Sequence, residues 1–230
     1  VEGLVSGDLR YANPPARHTA RVLRNQAVAP GVFDLWLERG GLTFRAGHEI
    51  LLHGQDVTEE RQYSLAGGEQ EEALRLLYRV IPGGLVSPRL AALVPGDSVS
   101  FTGPFGSFLI RDFLAPMVFI ATGTGIAPAL SFVRSHPGLD LTVLQGARTA
   151  EDLFFREEFS AATYHACVSR APGPGHFPGR VTARLESLTF PEDAHYYLCG
   201  ANDMILAVRR QLKARGVKDA CIFSEAYYFW

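Results

Sequence analysis

The residues of this chain best suited to chemistry fall into a few short groups. In Arg61-Gln62-Tyr63-Ser64-Leu65, the arginine offers an always-charged planar fork that matches a pyrophosphate. On a strand, Tyr63 shares a face with Arg61 and can lie against a flat ring, while Ser64 turns its hydroxyl to the other face. A second group, Tyr78-Arg79-Val80 followed by Gly83-Gly84-Leu85-Val86-Ser87, ends where a short helix begins. A helix start presents free N–H groups to an anion, although Ser87 taken alone reads rather as a helix cap. A third group, Thr122-Gly123-Thr124-Gly125-Ile126-Ala127-Pro128, follows the apolar run Met117–Ala121. It reads as buried strand, glycine turn and helix, with proline in the first helical turn. Glycine at 123 and 125 lets the backbone approach a ligand with no Cβ in the way. By itself such a turn serves any α/β unit as well as it serves a phosphate. Cys199-Gly200 closes another apolar run, where a small buried cysteine is the ordinary reading.

These groups need elements to position them. Up to about residue 112 the chain reads as short strands at Thr19–Leu23, Val32–Leu37, Glu49–Leu52, Gln62–Leu65, Leu74–Val80 and Ser98–Thr102. Pairs such as Gly40-Gly41, Gly67-Gly68 and Pro95-Gly96 punctuate them. This spacing predicts an antiparallel barrel, interrupted by one short helix with Ser87 as N-cap and Pro88 as its first residue. From residue 115 the pattern changes. Apolar runs at Met117–Ala121, Leu141–Gln145, Ala166–Ser169 and Tyr196–Cys199 alternate with helices at Ala129–Ser135, Glu151–Ser160, Val181–Leu185 and Met204–Arg215. Such alternation predicts a parallel sheet covered by helices on both faces. The boundary is expected near residues 111–116, dividing the chain into 1–113 and 114–230. Pro172–Gly179 reads as a loop, and Glu157-Glu158 as solvated charges.

Composition narrows the classes. A net charge of −2 over 230 residues gives no reason to expect nucleic acid or an anionic membrane as partner. Cys167, Cys199 and Cys221 form no CxxC pair, so neither a Cys₄ cluster nor a disulfide framework is expected. The histidines lack metal-ligand spacing, so no metal site is expected. Val-Glu-Gly-Leu is not the start of a signal peptide, and no run approaches the ~20 apolar residues of a bilayer span. A cytoplasmic protein is the expectation.

Taken in order, Arg61-x-Tyr63-Ser64, Gly84-Leu85-Val86-Ser87, Gly123-Thr124-Gly125-Ile126-Ala127-Pro128 and Cys199-Gly200 resemble the motifs of the ferredoxin–NADP⁺ reductase family. Leu85–Asp97 is most like the bacterial ferredoxin/flavodoxin–NADP⁺ reductases, and the resemblance covers nearly the whole chain. It implies a β + α/β fold: an N-terminal six-stranded antiparallel Greek-key barrel binding FAD, then a Rossmann-like parallel-sheet domain binding NADP. Arg61, Gln62, Tyr63, Ser64 and Leu65 would hold the flavin, with the Ser64 hydroxyl at N5. Tyr78, Arg79 and Val80 would line the flavin and adenylate groups, and Gly83, Gly84, Leu85, Val86 and Ser87 the FAD diphosphate.

In the second domain, Thr122, Gly123, Thr124, Gly125 and Pro128 would cradle the NADP pyrophosphate, with Arg148 nearby. Arg170, next to Ser169, and Arg180 would clamp the 2′-phosphate from either side of one loop, which favours NADP over NAD. Cys199 and Gly200 would line the nicotinamide pocket. Four consecutive aromatics, Tyr227 to Trp230, imply something to stack against. Glu225-Ala226-Tyr227 matches the Glu-x-Tyr of plant-type members, whose Tyr covers the flavin ring. Aligned from the end, Phe229-Trp230 matches the Tyr-Trp of some bacterial members instead, and both registers stay open. Ser64, Glu225 and Cys199 are the expected catalytic residues: the first two orient nicotinamide and serve proton transfer, and Cys199 shapes the pocket.

The implied reaction exchanges hydride between NADP(H) and FAD, and single electrons with a separate ferredoxin or flavodoxin. Such acidic carriers would dock on Lys and Arg near the flavin edge. The same scaffold also suits an oxygenase reductase component, a free-flavin reductase, or a flavin-binding sensor or electron-transfer subunit without NADP turnover. A monomer is expected.

Overall fold

Alternation of apolar and polar residues builds the first half. The computed structural model describes residues 16–54 and 59–227. Strands β1 (Arg17–Ala29), β2 (Val32–Glu38), β3 (Glu49–His53), β4 (Glu60–Ser64), β5 (Ala73–Arg79) and β6 (Ser98–Phe105) form a sheet in the order β4-β3-β6-β1-β2-β5. Every neighbouring pair is antiparallel. A bridge between Leu65 and Leu76 joins the two outer strands and closes the barrel. The links from β2 to β3 and from β5 to β6 each pass to a non-neighbouring strand, a Greek-key arrangement. β6 shows the period of two: Val99, Phe101 and Phe105 point inward, Ser98 and Thr102 outward. Leu35, Leu37, Ile50, Leu52, Leu74 and Leu76 fill the interior.

The second half is a parallel sheet of β7 (Met117–Thr122), β8 (Leu141–Ala147), β9 (Thr163–Val168), β10 (Phe177–Pro178), β11 (His195–Ala201) and β12 (Ile222–Tyr227), in the order β10-β9-β8-β7-β11-β12. The central strands are buried almost continuously, because helices cover the sheet. Helices α3 (Val181–Glu186) and α4 (Asn202–Ala214) supply Val181, Leu185, Ile205, Val208 and Leu212 to one face. Helix α2 (Ala127–Ser135) and the barrel cover the other. From β7 the chain winds outward to β10 and then returns to β11 on the opposite side. The space between the ends of β7 and β11 is therefore the switch point at which open α/β sheets bind ligands.

The two halves share one core. Val32, Ala46, Ala66 and Leu77 of the barrel pack with Phe108, Phe119, Phe132 and Tyr197. Two arginines with buried side chains stand at the seam: Arg75 bonds Asp34 within the barrel at 3.0 Å, and Arg134 pairs with Glu158 while donating across the seam to the Ala66 carbonyl. The Phe155 ring lies between the two guanidiniums, at 5.8 and 5.5 Å from their carbons. The Ser131 hydroxyl donates to the Gly67 carbonyl at 2.7 Å.

Several expectations change. Residues 151–160 form not one helix but two separate 3₁₀ turns, Ala150–Asp152 and Arg156–Phe159. Phe154 and Phe159 are both drawn into the core, and Phe155 between them adopts a left-handed backbone (φ 55°) that no α-helix admits. Glu158 is consequently a partner of buried Arg134 and not a solvated charge. The loop at 172–179 contains the short edge strand β10. Helix α1 (Ser87–Ala91) has Val86 at its N-cap position and no side-chain cap. The Ser87 hydroxyl instead accepts the Ile81 N–H at 2.9 Å, bracing the loop before the helix. β12 carries an alternation too weak to announce a strand. Among the described residues, no helix is long and apolar enough to cross a membrane, and no cluster of His, Cys, Asp and Glu could hold a metal ion.

Candidate active site at the domain cleft

A cleft of about 640 Å³ separates the barrel from the end of the parallel sheet. β4 and the segment from β5 to α1 form one wall, Phe223 to Tyr227 the other, and Thr124 of the glycine turn reaches it from below. At its centre lies Ser64, 3% exposed. Its hydroxyl donates to the Glu225 carboxylate and accepts the Tyr227 hydroxyl at 2.6 Å. Residues from β4 and β12 thus meet across the cleft, and β11 supports them from behind. Cys199 stands level with Glu225 in the parallel register, and its thiol meets the Tyr227 hydroxyl. The Glu225-Ala226-Tyr227 register therefore reaches Ser64. Phe229 and Trp230 lie outside the described residues.

Burial dominates the electrostatics. Loss of solvent pushes Glu225 up to about 7, the charge of Glu49 adds to this, and the Ser64 bond opposes it. Burial likewise drives the Cys199 thiol and the Tyr227 phenol well above their usual values. Cys199 is thus a neutral, enclosed thiol, unsuited to nucleophilic attack.

The barrel wall suits a flat ring with an anionic tail. Tyr63 sets its edge against Tyr78, centroids 6.2 Å apart, and burial raises the Tyr63 phenol to about 12, so it stays neutral. Arg61 is exposed and has no carboxylate partner among the described residues; it donates only to the Glu60 carbonyl, at 2.9 Å. Gln62 donates to Glu49 at 3.0 Å, and Arg79 is tied to Asp152 at 3.0 Å across the domain seam. Gly84, Leu85, Val86 and Ser87 line the cleft, whereas Leu65 and Val80 pack into the barrel core and Gly83 stands in the loop beside it.

The glycine turn is a 3₁₀ turn, Gly123–Ile126, leading into α2, in which Pro128 is buried. A Cβ on Gly125 would come 2.4 Å from the Cys199 carbonyl oxygen, and one on Gly200 would come 2.5 Å from the Thr122 hydroxyl. These glycines serve close packing of the turn against β11, and the Thr122 hydroxyl accepts the Ala201 N–H at 3.1 Å. Gly123 is the glycine with open space above it. Arg148, Ser169, Arg170 and Arg180 are exposed and do not line the cleft; they gather at the adjoining ends of β8, β9 and β10. There the Arg170 N–H donates to the Arg148 carbonyl at 3.0 Å, and the Gly179 N–H to Val168 at 3.0 Å. None of the three arginines has an ion-pair partner among the described residues.

The motif-based reading missed Glu49, Arg111 and Phe223, all of which line the cleft. Glu49 was findable, since antiparallel pairing of its strand with β4 puts it opposite Ser64.

Residues 20–110 match the oxidoreductase FAD-binding domain, and residues 119–210 the oxidoreductase NAD-binding domain. Together the two matches cover most of the chain, which therefore carries the FAD-binding domain and the NAD-binding domain of oxidoreductases in that order. The barrel coincides with the FAD-binding match and the parallel sheet with the NAD-binding match. It is 29% identical over 202 residues to the toluate 1,2-dioxygenase electron transfer component of Pseudomonas putida, covering 81% of this chain and 59% of that one. It is 30% identical over 227 residues to the propane 2-monooxygenase reductase component of Mycolicibacterium smegmatis, covering 89% and 62%. The chain thus spans about three-fifths of the length of these relatives. In fold it superposes on the ferredoxin NADP⁺ reductase of Neisseria gonorrhoeae solved with FAD and NADP (TM-score 0.83, 21% identity, 92% of this chain and 99% of that one).

Proposed function

We propose that the protein is an NADPH-dependent FAD reductase that passes electrons singly to a ferredoxin- or flavodoxin-type carrier, with residues 1–113 holding FAD and 114–230 holding NADPH. The observation that carries this reading is the contact of Ser64 with Glu225 and Tyr227 across the cleft, over Cys199. The donor set fits FAD: a guanidinium at Arg61 with no carboxylate partner among the described residues for the diphosphate, the neutral rings of Tyr63 and Tyr78 for a flat system, and a hydroxyl at Ser64 for a ring nitrogen. Bound there, FAD would supply the conversion of a hydride pair into two single electrons. The chain's own part is positional. Tyr227 screens Ser64 from solvent and must move aside for the nicotinamide ring. Glu225, titrating near neutrality, can hold or release a proton beside the Ser64 hydroxyl. Cys199 and Gly200 shape the pocket behind them.

Preference for NADPH rests on Arg170 and Arg180, exposed cations on adjoining strand ends with Arg148 beside them, as a 2′-phosphate requires. The test is anaerobic addition of one equivalent of NADPH, and separately of NADH, to FAD-loaded protein. NADPH should bleach the flavin band, and NADH should do so far more slowly. A protein that takes up no FAD, or that responds equally to both nucleotides, refutes the assignment. A second reading, the reductase component of an oxygenase, is favoured by the two relatives. Faster electron delivery to an oxygenase component than to ferredoxin or flavodoxin would select it.

A further inference from the structure

Glu49 is assigned no role by the motifs that identify the site, yet the fold sets it directly against the site's centre. It opens β3, and the β3–β4 ladder pairs it with Ser64. Residues opposite each other in an antiparallel pair have Cβ atoms about 5 Å apart and share one face of the sheet. Gln62, two residues from Ser64 and on the same face, donates its side-chain amide to Glu49 at 3.0 Å, which holds the carboxylate in place. Glu49 and Glu225 both line the cleft, one from each domain. Ser64 stands between them, bonded to Glu225.

We propose that Glu49 is a positioning carboxylate that governs when Glu225 carries a proton, and thereby which way the Ser64 hydroxyl points. The consequence follows from counting hydrogens. Ser64 has one hydrogen to give and two lone pairs to offer. Tyr227 already donates to one lone pair. With Glu225 ionised, Ser64 must give its hydrogen to that carboxylate and has none for the cleft. With Glu225 protonated, the acid donates to the second lone pair, and the serine hydrogen is released toward whatever lies in the cleft. Taking up one proton at Glu225 thus turns Ser64 from a spent donor into an available one. A second negative charge facing Glu225 favours the protonated state at neutral pH. Among the described residues, the other ionisable groups of the cleft are the Cys199 thiol and Tyr227 phenol beside Glu225, both neutral, and Glu60, Arg61, Tyr63, Tyr78, Arg79 and Arg111 on the cleft walls.

This inference deepens the proposed flavin site, but its test does not need flavin. The side-chain carboxyl of Glu225 is followed by ¹³C NMR in glutamate-labelled protein without added cofactor, its signal assigned by loss in Glu225→Gln. In the parent it should titrate near neutrality. In Glu49→Gln its midpoint should fall by about one pH unit, and Glu49→Asp should restore most of the parent value. An unchanged midpoint in a folded Glu49→Gln protein overturns the proposal, as does a midpoint that falls equally in Glu49→Asp. In FAD-loaded protein, the pH profile of flavin reduction by NADPH should move with the NMR midpoint. Failure to bind FAD would refute the proposed function and leave the carboxylate titration standing on its own.

Discussion

Replacing Glu225 with glutamine isolates the cost of a buried charge. Glutamine keeps an oxygen to accept the Ser64 hydroxyl and removes the ionisation. In the folded parent the carboxyl titrates near 7, against 4.5 in the open chain. A folded value above the unfolded one means that the native protein binds this proton more tightly. The group's stabilising contribution is therefore complete below about 4.5 and is lost as pH rises through 7. A displacement of this size corresponds to about 3 kcal/mol of stability lost by pH 8. For a chain of this length, that is roughly 6 to 12 °C in melting temperature. Scanning calorimetry of parent and Glu225→Gln, without cofactor and at constant ionic strength, should find similar melting temperatures near pH 5. The curves should then separate, with the variant the more stable at pH 8. Parallel curves across that interval would refute the argument that Glu225 is buried without a compensating cation.

Other substitutions probe other parts of the site. Gly125→Ala should destabilise the fold by about 2 kcal/mol or more, read as a lowered denaturation midpoint, because its Cβ would meet the Cys199 carbonyl at 2.4 Å. Joint replacement of Arg170 and Arg180 by alanine should raise the KM for NADPH on the order of 10- to 100-fold and leave that for NADH nearly unchanged; equal effects on both would show that the arginines do not read the 2′-phosphate. Arg134→Ala should cost about 3 kcal/mol, since it strands Glu158 and the Ala66 carbonyl at the domain seam. Urea denaturation curves would measure it, and a change below 1 kcal/mol would show the seam to be held by apolar packing alone.

Much of this fold was legible because its signals are local. Barrel strands such as β3 and β6 show a period of two, and β7, β8 and β11 are apolar runs too short for membrane spans and flanked by turns. What escaped notice depended on partners distant in sequence. Ser87 looks like a cap, but the loop in front of it folds back and takes its hydroxyl. Glu158 looks solvated because Arg134, its partner, lies 24 residues earlier. Gly125 suggested room for a ligand, whereas its space is filled by the backbone of β11. The same limit hid Glu49, whose importance comes from ladder register and not from any motif. Ser64, Cys199, Glu225 and Tyr227 were named by the family resemblance, but their meeting across the cleft depends on the folded structure.

The shared core restricts how anything can enter this cleft. Where two domains touch through a thin polar seam, an enzyme can open like a jaw. Here Val32, Ala46, Ala66 and Leu77 are buried in the same cluster as Phe119 and Phe132, so a jaw motion would wet that cluster and break the bond from Arg134 to the Ala66 carbonyl. β12, by contrast, is an edge strand held by β11 on one side only. The shared core thus fixes the barrel wall of the cleft against the sheet, whereas the wall that β12 forms has a single sheet neighbour.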